Sequence, residues 1–270
     1  MSANAPSNST ADHNKGKGTL YLVPAPLDFG CTELASLSDV MPLATLEVAA
    51  RLPHWICENA KSCRAYLKRV DLLQPLLQPI QLLQIQELPR EVHKKGDHLS
   101  HVNPFDARPL LAAALAGEDM GLVSEAGMPA IADPGASVVR AAHALGIAVV
   151  PLVGPSSLLL SLAVSGMNGQ SFAFVGYLPQ DAAQRGSRIR ELEGLCQKTG
   201  QTQMLIETPY RNTAVLQALL ATLQPRTRLS ASFGITLPRM VSRSDAVAQW
   251  KSHPGNKLPL DLPAVFCIGV

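Results

Sequence analysis

The feature that most constrains this chain is an order of strand, loop and helix that repeats through its first half. Leu20-Tyr21-Leu22-Val23 reads as a buried strand that opens into Pro24-Ala25-Pro26. His54-Trp55-Ile56-Cys57 reads as a second strand ending at Glu58-Asn59, and the chain from Lys61 to Asp71 as a helix. Leu82 to Leu88 is a third strand, and Pro109 to Ala116 a helix that stops at Gly117. Gly121-Leu122-Val123-Ser124 runs into the turn Glu125-Ala126-Gly127-Met128-Pro129, followed by Asp133-Pro134-Gly135 and a helix from Ser137 to Leu145. Ile147 to Leu152 is a β-branched strand ending at Gly154-Pro155, and Ser157 to Val164 the next helix. Such a repeat predicts a mainly parallel sheet covered by helices, with ligands beyond the C-terminal strand ends. Three of those ends, residues 24–30, 124–135 and 153–157, are rich in Gly, Pro and Ser.

A second half opens near Phe172-Ala173-Phe174-Val175-Gly176, with Leu34 to Arg51 in the first half read as helix and connection. Arg185 to Lys198 and Thr213 to Leu223 are helical. Gln203 to Glu207 is a strand ending in Thr208-Pro209-Tyr210-Arg211, and Leu229 to Phe233 and Ala264 to Ile268 are further strands. No internal repeat or long linker separates the halves. The expectation is an α/β protein of two α/β domains: a disordered tail over 1–17, an N-terminal domain over 18–168 with a mainly parallel sheet, and a C-terminal domain over 169–270. The cleft between them is the default binding site.

Composition narrows the function. The 23 Lys and Arg exceed the 21 Asp and Glu by two, which argues against a polybasic coat or an acidic tail protein. Charged residues are only 16%, and mean hydropathy is +0.12, so much apolar surface lies in a core or at a subunit interface. The five cysteines, Cys31, Cys57, Cys63, Cys196 and Cys267, are widely spaced without a CxxC pair, which fits reduced cytoplasmic thiols and no metal site. Residues 1–17 hold no apolar run of a signal peptide, and Pro151, Gly154 and Pro155 interrupt the apolar stretch from Gly146 to Met167, so no membrane span is expected.

The chain has no GxGxxG after its first strand, no P-loop, no HExxH and no GxSxG elbow. It favours chemistry that needs little side-chain machinery. The loop 124–135 is the most specific stretch. Gly127 and Pro129 hold the backbone close to something, and Asp133-Pro134-Gly135 is either part of that site or a cap for the next helix.

Five motifs in order, Leu20 to Pro26, the loop 124–135, Val150 to Ser157, Phe174 to Pro179 and Glu207-Thr208-Pro209-Tyr210-Arg211, resemble the tetrapyrrole methylase superfamily of S-adenosylmethionine (SAM) dependent methyltransferases. The branch most resembled is the ribosomal RNA small subunit methyltransferase I type. The resemblance spans about 18–270. It implies two α/β domains with SAM in the cleft between them, a homodimer, and methylation of a ribose 2′-hydroxyl in small-subunit rRNA. It places the cofactor against Leu27, Ser124, Glu125, Ala126 and Met128, against Ser156 and Ser157, and against Glu207 and Ser232. The start of the helix at Ser156-Ser157 suits the methionine carboxylate, since its N–H groups and dipole attract an anion; an ordinary N-cap is compatible with that. Glu125 suits an amine or hydroxyl. Tyr210 and Arg211, with Glu58 and Asn59, are the candidates for placing the acceptor; Arg211 either holds an RNA phosphate or pairs within the fold.

The chain departs from that branch where an acceptor would be expected. Glu125 stands for an Asp, Met128 for a Thr, Glu58-Asn59-Ala60-Lys61 for Glu-Asp-Thr-Arg, Pro26-Leu27-Asp28-Phe29 for Pro-Ile-Gly-Asn, and Ala231-Ser232-Phe233-Gly234-Ile235-Thr236 for Ala-Arg-Glu-Leu-Thr-Lys. Two alternatives follow: SAM-dependent methylation of a small acceptor such as a tetrapyrrole, and a catalytically silent SAM-binding module. Three basic clusters favour RNA: Lys61, Arg64 and Lys68 with Arg69; Arg185, Arg188 and Arg190; and Arg90, Lys94 and Lys95. Aromatic residues are 4%, too few for a stacking platform.

Overall fold

The structure is a computed structural model that describes residues 16–28, 30–95, 105–253 and 257–270, with the side chains of 93–95 excluded. Most of the expected tail, the Phe29 of the first loop and the Lys94 and Lys95 side chains therefore lie outside the described residues.

Five strands form the first sheet: β1 (Thr19–Val23), β2 (His54–Cys57), β3 (Gln84–Glu87), β4 (Met120–Val123) and β5 (Ala148–Pro151). Their order is β3-β2-β4-β1-β5 and every pairing is parallel. Helices α1 (Leu37–Val40), α2 (Leu43–Arg51), α3 (Ala60–Asp71), α4 (Arg90–Lys95), α5 (Ala112–Leu115) and α6 (Ala136–Ala144) connect them. The segment read as helix over 34–51 is broken at Met41-Pro42, because a proline removes the N–H a continuous helix needs. One face of the sheet buries Val23 and Trp55 against α2 and α3, and the other buries Leu20, Ile56 and Leu122 against α6. Gly121 is required beneath Trp55: a Cβ there would lie 2.7 Å from the indole.

The order of the first sheet sets where a ligand can sit. The chain leaves β1 in one direction toward β2, and leaves β4 in the other toward β5, so the loops after these two neighbours diverge and leave a crevice between them. Ala25 and Gly127 clamp the base of that crevice with two backbone hydrogen bonds of 2.9 Å, Gly127 at φ 71°.

The second sheet contains β6 (Phe172–Phe174), β7 (Thr202–Glu207), β8 (Arg228–Phe233), β9 (Val241–Ala246) and β10 (Ala264–Gly269) in the order β6-β7-β10-β8-β9. Only the β6–β7 pairing is parallel. Helices α8 (Ala182–Thr199) and α9 (Pro209–Thr222) cover one face around Phe233 and Phe266, whose rings meet edge to face at 5.9 Å, and α10 (Val247–Ser252) closes the edge. The other face receives α7 (Ser157–Ser165), whose Leu158 and Leu162 pack on Met204, Val265 and Cys267. Helix α7 thus follows directly from the first sheet and seals against the second, so its N-terminus stands where the two meet. Among the described residues no helix is long and apolar enough to cross a membrane.

Candidate functional site

A cavity of about 410 Å³ lies where the C-terminal ends of the first sheet face the second. Three segments build it from the first half: Leu27 after β1, the stretch 126–133 after β4, and Ser156-Ser157 at the start of α7. From the second half come Tyr177, the end of β7 at Ile206-Glu207-Thr208, and Ile235 and Val265. The loop after β4 is strained: Ala130 and Ala132 both take φ 65°, a region that costs a residue with a Cβ about 1–2 kcal/mol. Gly154 permits the approach of the loop after β5, because a Cβ there would fall 2.2 Å from the ring of Pro24.

The sequence-derived positions divide between this cavity and its neighbourhood. Leu27, Ala126, Met128, Ser156, Ser157 and Glu207 all line it. Ser156 is the N-cap of α7 and makes no side-chain capping bond, so its hydroxyl is not committed to the helix. Ser124 and Glu125 line an adjoining cavity instead. Glu125 accepts a hydrogen bond from the Ser62 hydroxyl at 3.2 Å, and its backbone N–H donates to the Glu58 carboxylate at 3.2 Å. Ser232 faces β9, where its hydroxyl meets that of Ser242 at 2.8 Å, and it lines neither cavity.

The acceptor-side candidates are used differently from one another. Asn59 caps α3, its Oδ1 accepting the Lys61 and Ser62 N–H groups at 2.8 and 3.2 Å. Tyr210 and Arg211 sit not in a loop but in the first turn of α9, which Pro209 begins at the position where proline costs a helix nothing. That turn points Tyr210 to solvent, 81% exposed. It folds Arg211 back onto Glu207 at 3.1 Å and onto the Leu178 carbonyl at 2.8 Å. Arg211 therefore takes the second of its two readings, an ion pair within the fold.

Two carboxyls here titrate near neutrality. Burial pushes Glu58 up to about 7; the Glu125 N–H opposes this and the Glu125 charge adds to it. Burial also pushes Asp133 up to about 7, helped by the charges of Glu58 and Glu125. Asp133 lines the main cavity and is not the cap of α6, whose N-cap is Gly135. Tyr177 lines the same cavity, and burial, then the charges of Asp133 and Glu207, keep its phenol protonated. Ordinary values for the carboxyls are 4.5 and 3.8, so between those values and 7 the folded chain holds protons that the unfolded chain has released. Stability from this source is complete below the lower values and is lost as pH rises through 7. Urea unfolding of the protein should show stability falling from about pH 5 to about pH 8. The fall should be shallower in Asp133→Asn, and an identical slope in that variant would contradict the buried carboxyl.

The first-loop departure at Asp28 is compensated by Arg69. Asp28 is buried and takes both guanidinium nitrogens, at 3.1 and 2.9 Å, as well as the Ala35 N–H at 3.0 Å. Arg69 therefore faces inward from α3, while Lys61, Arg64 and Lys68 remain exposed. In the second basic cluster Arg185 bonds the Pro179 and Gln180 carbonyls, and Arg188 pairs with Glu191 at 2.7 Å. Asp28→Ala should cost about 3 kcal/mol, the low end for breaking a buried pair, because the Arg69 side chain keeps 24% exposure. A urea midpoint unchanged by that substitution would exclude the pair as a staple of the loop.

A parallel sheet with a crevice at its strand-order reversal, and a helix that runs from it onto a second, mixed sheet, define an α/β protein of two sheets with a cavity where they meet. The chain belongs to the Tetrapyrrole (Corrin/Porphyrin) Methylases, whose family profile matches residues 30–239. It is similar to ribosomal RNA small subunit methyltransferase I of Xylella fastidiosa, 33% identical over 176 residues that make up 65% of this chain and 54% of that protein. The protein of the same name from Halalkalibacterium halodurans is 29% identical over 212 residues, 78% of this chain and 62% of that one. That of Streptococcus pyogenes serotype M6 is 31% identical over 211 residues, 77% and 61% respectively. The chain thus spans 54% to 62% of the length of these relatives. Among solved structures, uroporphyrin-III-C-methyltransferase from Thermus thermophilus superposes with a TM-score of 0.50 at 18% identity, covering 94% of both chains. The methyltransferase CobJ gives 0.50 at 16% identity, again covering 94% of each. Those two structures establish the shared fold.

Proposed function

We propose that this chain is a SAM-dependent methyltransferase whose acceptor is a ribose hydroxyl of small-subunit rRNA. The observation that carries the reading is the cavity at the meeting of the two sheets, together with the similarity to ribosomal RNA small subunit methyltransferase I proteins. Its chemistry fits the cofactor. The volume is in the range of small-molecule sites. The start of α7, with an uncommitted Ser156 hydroxyl, suits a carboxylate. Leu27, Ile206, Ile235 and Val265 offer an apolar wall for a flat heterocycle, and Asp133 supplies a carboxylate for an ammonium or sulfonium charge.

Bound there, SAM supplies an electrophilic methyl group. The residues of this chain align it, exclude water and hold a proton acceptor nearby. In-line displacement at carbon needs alignment above all, which suits the absence of a nucleophile motif. An acceptor hydroxyl must lose its proton, and Asp133, which lines the cavity and has a pKa of about 7, is placed to take one.

We also propose that the protein is a homodimer. Leu159, Leu160 and Val164 on the outer side of α7, with Val150 and Val153, expose apolar surface that a second copy would cover. Sedimentation at twice the chain mass supports this, and a monomer at micromolar concentration removes it. The enzymatic reading is tested by incubating the protein with methyl-labelled SAM and small-subunit rRNA lacking the modification. Label on a ribose hydroxyl supports it. Label on a small acceptor alone, or SAM binding without transfer to any fraction, overturns it.

A further inference from the structure

The main cavity opens between two lips, one from each half of the chain. Ile131 lines the cavity from the loop after β4 and is 50% exposed. Ala130 and Ala132 on either side of it both take φ 65°, so the backbone is strained where it presents an apolar side chain to water. Tyr177 lines the same cavity from the segment after β6 and is 54% exposed. Pro209 belongs to the lining too, and the exposed Tyr210 follows it directly. Burial, then the charges of Asp133, Glu207 and Tyr210, raise the Tyr177 phenol, so Tyr210 and the loop that carries Ile131 and Asp133 both stand near that ring. Exposed carbon of this kind beside a ligand cavity marks a contact surface.

The charges around the lips say what kind of ligand suits them. Asp133 on the lining behind them disfavours an acidic group that enters. Outside, Arg185 donates to the Pro179 and Gln180 carbonyls at 3.3 and 2.9 Å, which sets the start of α8 beside the Tyr177 lip. Arg188 follows one turn on, and its partner Glu191 is exposed; a pair of this kind contributes little, and a phosphate can displace it. A ligand that is flat and uncharged where it enters and anionic where it stays outside fits this arrangement.

We propose that the two lips clamp one unstacked base of a single-stranded RNA segment, between Tyr210 and Tyr177 on one side and Ile131 on the other, while its phosphates stay outside along Arg185 and Arg188. The inference rests on the reading above and adds how the acceptor strand is gripped. Aromatic residues are too few in this chain for a platform along a strand, but two rings serve one base. Stacking of a base on an aromatic ring tolerates every base, and the phosphates add affinity without sequence preference.

The test uses the full chain and two labelled probes of equal length, a single-stranded oligoribonucleotide and a sugar–phosphate oligomer without bases. Anisotropy reads their affinity and calorimetry reads that of SAM. Tyr210→Ala should keep the wild-type melting temperature, because the ring is 81% exposed, and should keep SAM affinity. It should weaken the RNA by about tenfold and leave the baseless oligomer unchanged. Tyr210→Phe keeps the ring and should bind RNA as the wild type does. Arg188→Ala should weaken both probes equally and reduce the salt slope by about one ion. The proposal is overturned if the wild type binds the RNA no better than the baseless oligomer, or if Tyr210→Ala binds RNA normally. It is also overturned if Tyr210→Ala weakens both probes alike, or if Tyr210→Phe fails as Tyr210→Ala does. A carboxylated porphyrin that needs Tyr210 when RNA does not would give the lips to a small acceptor. A dimer that Tyr210→Ala converts to a monomer would give them to a second copy, and either result overturns the proposal. Failure of the broader reading shows separately, as a wild-type protein that does not bind SAM.

Discussion

Ser157→Trp leaves a folded protein that has lost at least about a hundredfold in SAM affinity, about 2.8 kcal/mol. Ser157 is the first residue of α7 and lines the main cavity, so an indole there fills the space at the helix start. The fold should survive, because α7 is anchored by Leu158 and Leu162 against β10 and β7, and Ser157 takes no part in that cluster. Calorimetry gives the affinity and thermal unfolding the fold. Unchanged affinity in a folded variant would remove the cofactor from this cavity.

Arg211→Ala should be the most destabilising single change at the site, at about 3–5 kcal/mol. Its side chain is 14% exposed and that of Glu207 fully buried, so the truncation leaves a carboxylate without its cation and the Leu178 carbonyl without its donor. Burial alone already pushes the Glu207 carboxyl up, with the Thr208 N–H and Arg211 pulling it back. Replacing both partners by leucine should therefore recover much of the loss, because an apolar pair leaves no unpaired charge. Urea unfolding of the two single variants and the double variant measures this coupling. An Arg211→Ala protein of normal stability that fails only in RNA binding would return Arg211 to its other reading, a phosphate contact.

The first sheet was legible because its strands are short apolar runs closed by glycine and proline. β2 falls at His54–Cys57 as the sequence predicts, and the loops at 24–30, 124–135 and 153–157 all contribute residues to the main cavity. β9 was not legible: Val241–Ala246 has no apolar alternation and every residue is half-buried, so only its antiparallel pairing with β8 makes it a strand. Helix α9 begins four residues before the Thr213 expected, and the signal for it was Pro209 after Thr208. That shift moves Tyr210 outward and Arg211 inward. Asp133 was legible only as a choice between site and cap, and Gly135 takes the cap.

Calorimetric titration of the full chain with SAM and with S-adenosylhomocysteine tests the central claim most directly. Micromolar binding of both at one site per chain, lost in Ser157→Trp, is the result expected. No binding of either, or binding that Ser157→Trp leaves intact, would contradict a cofactor site between the two sheets.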